Sequence, residues 1–370
     1  MKINDSIDSC FSTSYGKARQ KFLAQCAQTT ATLRVYESPR LGLDGEKLAV
    51  DCALFGKPGA AKLLIVSSGC HGVEGFCGSG IQTHSLSTAF LQQLTQQSAV
   101  SVLYLHALNP HGFSYGRRVT EENVDLNRNF HDFSKPLPAN EGYREVHPWL
   151  LPAQWPPNEE NQVAIAALMQ SRGYAAVQSA VASGQYEFPD GLFFGGTQPT
   201  WSNTTLRQIL RDYAQKATDI GWIDIHTGLG PAGHGERIFA PCIDPESEFA
   251  RAYAWWGGEG KTPVTRSELG ESASTVLRGT TNSMVQFECP HARVAKIVLE
   301  FGTEPPISVL MALRGDHWLH NHPDAPPLLS AAIRQATRDA FFVDTSEWKK
   351  QVVDQAQQAI RQGLVGLAHI

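Results

Sequence analysis

Residues 62–80 read KLLIVSSGCHGVEGFCGSG, and the order of residue types in this stretch sets the fold class. Lys62–Val66 is a continuous apolar run without polar alternation, which suits a strand buried on both faces of a sheet. A Gly-rich turn follows, and a helix is predicted from about Gly80 to Gln96. Val100–Leu105 (VSVLYL) reads as the next buried strand. Strand, turn, helix and strand in that order form the repeating unit of an α/β sheet.

The pattern continues outward in both directions. On the N-terminal side, residues 12–28 are predicted helical, because Ala18, Phe22 and Cys26 recur at four-residue spacing. Two strands are predicted at Thr32–Tyr36 and Leu48–Phe55. On the C-terminal side, Asn109–Asn158 is rich in Pro, Gly and Asn and reads as a long ordered loop. Helical signal returns around Ile165, Leu168 and Met169, and again at Val177, Ala180 and Val181, with Gly173 separating the two. The loop GLFFGGTQPTWSN (191–203) precedes a predicted helix over Thr204–Thr218, and its Trp201, Ser202 and Asn203 are candidates to cover a cleft. Strands are predicted at Ile220–Ile225, Arg237–Ala240 and Ala295–Phe301. Trp348, Val352, Ala356 and Ile360 mark a C-terminal helix. The alternation implies one α/β domain with a mostly parallel or mixed sheet sandwiched by helices, elaborated at about 131–218.

Composition narrows the function. A formal net charge of -5 gives no reason to expect nucleic acid or an anionic membrane as partner. No apolar run approaches the roughly eighteen residues of a membrane span, and MKINDSIDSCFSTSYGKARQ lacks the apolar core of a signal peptide. Seven scattered cysteines without a Cys-x-x-Cys pair read neither as a disulfide framework nor as a thiolate zinc site. A reducing, cytoplasmic location is expected.

In open α/β sheets, active sites form where loops leave the carboxyl ends of strands. Four motifs sit at such places: HGVEG (71–75), RRVTEENVDLNRNF (117–130), DIHTG (224–228) and LEFGT (299–303). A catalytic zinc takes three N/O ligands and keeps one position open. His71 and Glu74, three residues apart, can aim at one point from a helical turn, and His226 can close the site from another strand end. Glu300 would then be a free carboxylate beside the metal and the general base. Arg118 can stabilise an oxyanion, and Asn127 with Arg128 can grip a substrate carboxylate.

This set of motifs resembles the zinc carboxypeptidase superfamily, and looks closest to an uncharacterised bacterial branch of it. The likeness runs over about residues 60–320 with the motifs in the family's order, and Asn127–Arg128 is its most specific piece. It implies a mixed eight-stranded sheet between helices and hydrolysis of a C-terminal peptide bond. It implies zinc held by His71, Glu74 and His226, Glu300 as base and Arg118 at the oxyanion. Asn127 and Arg128 would bind the terminal carboxylate, and Asp125 would orient His71 from outside the ligand shell. The family commonly has a mobile Tyr shortly before the catalytic Glu. Here no Tyr lies between Tyr253 and Glu300, and Arg278–Thr281 takes that place.

Two other functions compete with a carboxypeptidase. One is a zinc-dependent deacylase of N-acyl amino acids or small amides, which needs the same ligands. The other is a metal-bound binding protein without turnover, against which Arg118 and Glu300 both speak. His106, His111 and His131 are read as structural, Cys70 and Cys77 as small buried fillers, and Trp255–Trp256 as core or interface. His234 and Glu236 follow the third ligand without a spacing that ties them to it. No Gly-x-x-x-x-Gly-Lys loop occurs.

Overall fold

A computed structural model of the chain describes residues 7–87, 100–258 and 262–370. Eight strands form one mixed sheet: β1 (Thr32–Leu41), β2 (Lys47–Phe55), β3 (Lys62–Ser68), β4 (Val100–His106), β5 (Asp219–Ala232), β6 (Gly235–Phe239), β7 (Val264–Arg266) and β8 (Arg293–Gly302). Their order is β1-β2-β4-β3-β5-β8-β6-β7. The central strands β4, β3, β5 and β8 run parallel. β1, β2 and β4 pair antiparallel, as do β8 and β6, while β7 lies parallel to β6 at the edge. This is the α/β class with the eight-stranded mixed sheet that the family resemblance implies.

The helices are α1 (Tyr15–Cys26), α2 (Gly75–Ser87), α3 (Pro110–Tyr115), α4 (Glu141–Leu150), α5 (Glu159–Arg172), α6 (Tyr174–Ala182), α7 (Trp201–Tyr213), α8 (Pro245–Trp256), α9 (Met284–Glu288), α10 (Pro306–Asn321), α11 (Pro327–Phe341) and α12 (Ser346–Ala368). None of the described helices is long and apolar enough to cross a membrane.

The reading of Lys62–Val66 as buried on both faces is visible in the packing. Leu64 and Val66 enter one core with Phe22 of α1, Ile81 of α2, Trp256 of α8 and Ile360 of α12. Leu63 and Ile65 enter the opposite core with Ile209 and Leu210 of α7 and Val285 of α9. Each fully buried side chain of this size contributes about 1.5–3 kcal/mol, so the two layers pin the register of the central strands. From β3 the chain moves to β4 on one side, then crosses back to β5 on the other. The carboxyl ends of β3 and β5 are therefore the topological switch point, where a crevice opens.

Several expectations change. Asn109–Asn158 is not loop throughout. Asn109 caps α3, with Pro110 in the first turn and Gly116 left-handed at its end. Asn140 caps α4, which buries Tyr143, Val146 and Leu150 on one face despite Pro148. Trp201–Asn203 form the first turn of α7 rather than a cover, with Thr200 as the cap. Asn203 is buried, and its Nδ2 donates to the Asn129 carbonyl at 2.8 Å. Helix α2 starts at Gly75, five residues before its expected start, and the expected continuation from 88 to Gln96 lies outside the described residues. Helices α8, α10 and α11 and strand β7 have no counterpart among the predicted elements. Gly173 does separate α5 from α6, at φ +82°.

Candidate metal centre

The HGVEG turn is fixed by its backbone. The N–H groups of Gly72 and Val73 donate to the carbonyls of Arg118 and Arg117, at 3.0 and 2.8 Å. Gly72 passes so close to α3 that a Cβ would lie 2.0 Å from the Gly112 carbonyl carbon, a place only glycine can occupy. This clamp sets the turn carrying His71 and Glu74 against the segment carrying Arg118. His226 arrives from β5 as the direct neighbour of Glu300 on β8. Strand pairing thus places the third candidate ligand beside the candidate base.

The three candidate ligands converge. Their nitrogen and oxygen atoms lie within 4.8 Å of one another, a span compatible with bonds of about 2.0–2.2 Å to one ion. His71 Nδ1 is 2.7 Å from Glu74 Oε1, and His226 Nδ1 is 3.0 Å from Glu74 Oε2. The two Nδ1 atoms are 3.2 Å apart. Each imidazole faces a carboxylate through its other nitrogen: His71 Nε2 meets Asp125 Oδ1 at 3.1 Å, and His226 Nε2 meets Asp224 Oδ2 at 3.0 Å. With both Nε2 atoms donating, two Nδ1 lone pairs and a carboxylate point at one place. Such a set repels itself unless a cation sits among its members, so these residues fit a divalent metal.

Electrostatics agree. Burial opposes charge on His226, but the Asp224 and Glu74 carboxylates outweigh it and hold the ring well above the usual imidazole range. Burial likewise opposes charge on Glu74, yet the two imidazoles pull it well below the carboxylate range. Glu300 behaves in the opposite way: burial, then the Glu74 carboxylate, push it up to about 8. Its Oε1 accepts the Leu229 N–H at 3.1 Å. A divalent cation on Glu74 offsets that carboxylate's charge and draws Glu300 back down.

The second motif surrounds this core. Arg118 donates to Glu74 at 3.0 Å and to Asp125 at 3.1 Å. Arg128 is buried, and three of its N–H groups go to the carbonyls of Ala182 and Asn127. The Asn127 Oδ1 accepts both the backbone N–H and the hydroxyl of Thr281, at 2.9 and 3.1 Å. Its Nδ2, the other end of the amide, takes no part in that brace. Thr281 thus braces Asn127. His71, Glu74, Arg118, Asn127, Arg128, His226 and Glu300 line one cavity of about 250 Å³, which also takes its wall from α6, α10 and residues 274–277.

A family model described as "Protein of unknown function (DUF2817)" matches residues 11–355, nearly the whole chain. The chain belongs to the DUF2817 family. No curated protein matches this DUF2817 chain at a significant level. Among solved structures, it is similar to the carboxypeptidase A of Helicoverpa armigera, with 11% identity and a TM-score of 0.50, over 96% of this chain and 74% of that one. It is also similar to bovine thrombin-activatable fibrinolysis inhibitor in complex with tick carboxypeptidase inhibitor (10%, TM-score 0.49, 96% and 97%). A metallo-carboxypeptidase from Pseudomonas aeruginosa shows a weaker likeness (12%, TM-score 0.41, 92% and 68%). At such identities the likeness is one of fold, and the fold is that of the zinc carboxypeptidases.

In this DUF2817 chain the structure gathers His71, Glu74, Arg118, Asp125, Asn127, Arg128, His226 and Glu300 around one centre. His106 lies elsewhere, buried between Ser79 and Phe22. Cys70, Asp224 and His226 also approach one another. Burial holds the Cys70 thiol protonated, and its sulfur shares a hydrogen bond with Thr281, so it is a poor rival ligand.

Sequence reasoning missed Asp224, Phe193 and Thr281. Asp224 stands two residues before His226 on one strand and so shares its face, a signal already present in DIHTG. The Phe193 ring packs under both guanidinium groups, 5.4 Å from Arg118 and 5.7 Å from Arg128. An Asp224→Asn variant keeps the shape but loses the anion that fixes the His226 ring. It is expected to bind zinc about 10–100-fold more weakly, read by competition with a chromogenic chelator. Unchanged affinity would show that Asp224 does not orient the ring.

Proposed function

We propose that this protein is a zinc-dependent hydrolase that removes the C-terminal residue of a peptide or similar amide. The observation that carries this reading is the pair of braced imidazoles sharing Glu74, with Glu300 as the strand neighbour of His226. Zinc, when bound, supplies Lewis acidity to the scissile carbonyl and to the attacking water. The chain's own groups do the rest. The Nδ2 end of the Asn127 amide and the remaining N–H groups of Arg128 hold the substrate carboxylate. Glu300 takes a proton from the attacking water on its carboxylate and passes it to the leaving amine. Arg118, tethered by Glu74 and Asp125, stabilises the negative charge that develops on the carbonyl oxygen.

A second reading, deacylation of an N-acyl amino acid, draws on the cavity wall. Helix α6, which belongs to the 131–218 elaboration, reaches the opposite loop through Gln178 Nε2 to the Ala273 carbonyl at 3.5 Å. A second contact joins the Thr275 and Ser179 hydroxyls at 3.3 Å. Such a bridge suits short substrates. The test is mass spectrometry of zinc-loaded and chelated protein with peptides ending in a free carboxylate, the same peptides amidated, and N-acyl amino acids. The carboxylate grip implies metal-dependent cleavage of free ends and at least about a hundredfold loss on amidated ones. Equal cleavage of amidated peptides sinks the roles given to Asn127 and Arg128. Cleavage confined to N-acyl amino acids selects the deacylase. Zinc binding without any turnover leaves the binding-protein reading.

A further inference from the structure

The cavity continues past Glu300 along the sheet. Val298 lies two residues before Glu300 on β8, and Ile238 is its direct partner on β6, so all three share the cavity face. Among the described residues, the Asp, Glu, His, Lys and Arg side chains lining the cavity all belong to the metal centre already described. Beyond Glu300 the wall is Val298, Ile238, Ala240 and Pro241, with Ser267, Thr280 and Asn282 as its polar members.

Asn282 is unusual among these. It is 1% exposed and sits in the single 3-10 turn Thr281–Ser283, one residue after the Thr281 that braces Asn127. Its Oδ1 accepts the Thr280 hydroxyl at 3.4 Å, while its Nδ2 has no hydrogen-bond partner among the described residues. A buried donor left unpaired is costly, and an apolar side chain of the same size avoids the cost. A lining residue with such a donor suits a ligand that brings the acceptor.

We propose, building on the hydrolase reading above, that Asn282 determines specificity by donating from Nδ2 to the side chain of the residue that is released. The preferred side chain is then uncharged, apolar along its stem, and carries an acceptor at its tip: a carboxamide or a hydroxyl. A cationic side chain brings a donor to a donor at Asn282. An anionic one loses its hydration for a single neutral donor, with Glu300 nearby. Thr281 and Asn282 are adjacent in one turn, so the carboxylate grip and the side-chain reader are held at a fixed separation.

The test uses the zinc-loaded full chain and acylated dipeptides that differ only in the last residue: Gln, Met of similar length, Glu and Lys. The wild type is expected to favour Gln over Met by at least about tenfold in kcat/KM, and Asn282→Leu to reverse that order. Asn282→Asp, with the original shape, is expected to raise Lys relative to Gln. Binding is measured in parallel by calorimetry with N-acetylglutamine and N-acetylmethionine. A wild type that binds the two equally, or that prefers Met or a charged residue, overturns the proposal. So does an Asn282→Leu protein that loses the same factor on every substrate. Tighter binding of the glutamine compound without cleavage of any peptide supports Asn282 and counts against the peptidase reading alone.

Discussion

Glu300→Gln is expected to lower kcat by about 10³-fold or more, some 4 kcal/mol of barrier, while zinc stays bound at one equivalent. The amide keeps the shape of the carboxylate and can still accept the Leu229 N–H, so the strand ends should not move. What is lost is the ability to take a proton. The sign of the pH dependence follows. Burial and Glu74 raise Glu300 to about 8 when no cation offsets them. A base must be deprotonated, so kcat/KM rises with pH through the Glu300 titration. A bound cation moves that limb below 8, and the variant should lose it. Zinc content by mass spectrometry together with the kcat/KM profile decides the matter. A variant with near wild-type rate would remove Glu300 from the mechanism, and one that lost its zinc would make it a metal-site residue.

Loss of the metal should be as severe. Chelation is expected to abolish turnover, and added zinc to restore it. Glu74→Gln is expected to weaken zinc binding by at least about 100-fold, because it removes the one anionic ligand and leaves Arg118 facing a neutral group. Stability should follow occupancy. A ligand present at about a thousandfold excess over its Kd adds about 4 kcal/mol to the folded state. The melting temperature should therefore fall on stripping and recover on loading. Turnover that survives rigorous stripping would end the metallohydrolase reading.

The parts of this fold legible in the sequence are those where local and global signals coincide. β3 and β4 are apolar runs because apolar cores cover both of their faces, and periodicity alone reports that. Elements whose existence depends on distant partners are poorly legible. β7 is three residues long and exists because Arg237–Phe239 present a parallel partner. α4 carries an internal Pro, so its Asn140 cap outweighs a residue that argues against a helix. α10 and α11 each begin at a Pro, a start signal that the chain carries openly but that apolar periodicity passes over. At the site, His71, Glu74, His226 and Glu300 stand out because a metal demands fixed residue types at strand ends. Asp224 is legible only through its two-residue spacing from His226 in DIHTG, and Thr281, which braces Asn127, carries no such spacing signal.

The close approach of the two Nδ1 atoms makes the centre a proton trap as well as a metal cradle. Without metal, the ring of His226 keeps its proton well above the ordinary imidazole range, because Asp224 and Glu74 favour the cation. Loading an ion must therefore evict that proton. Below the pH at which His226 deprotonates, each unit of acidification costs about tenfold in apparent metal affinity. Acidity and metal supply thus act on a single occupancy.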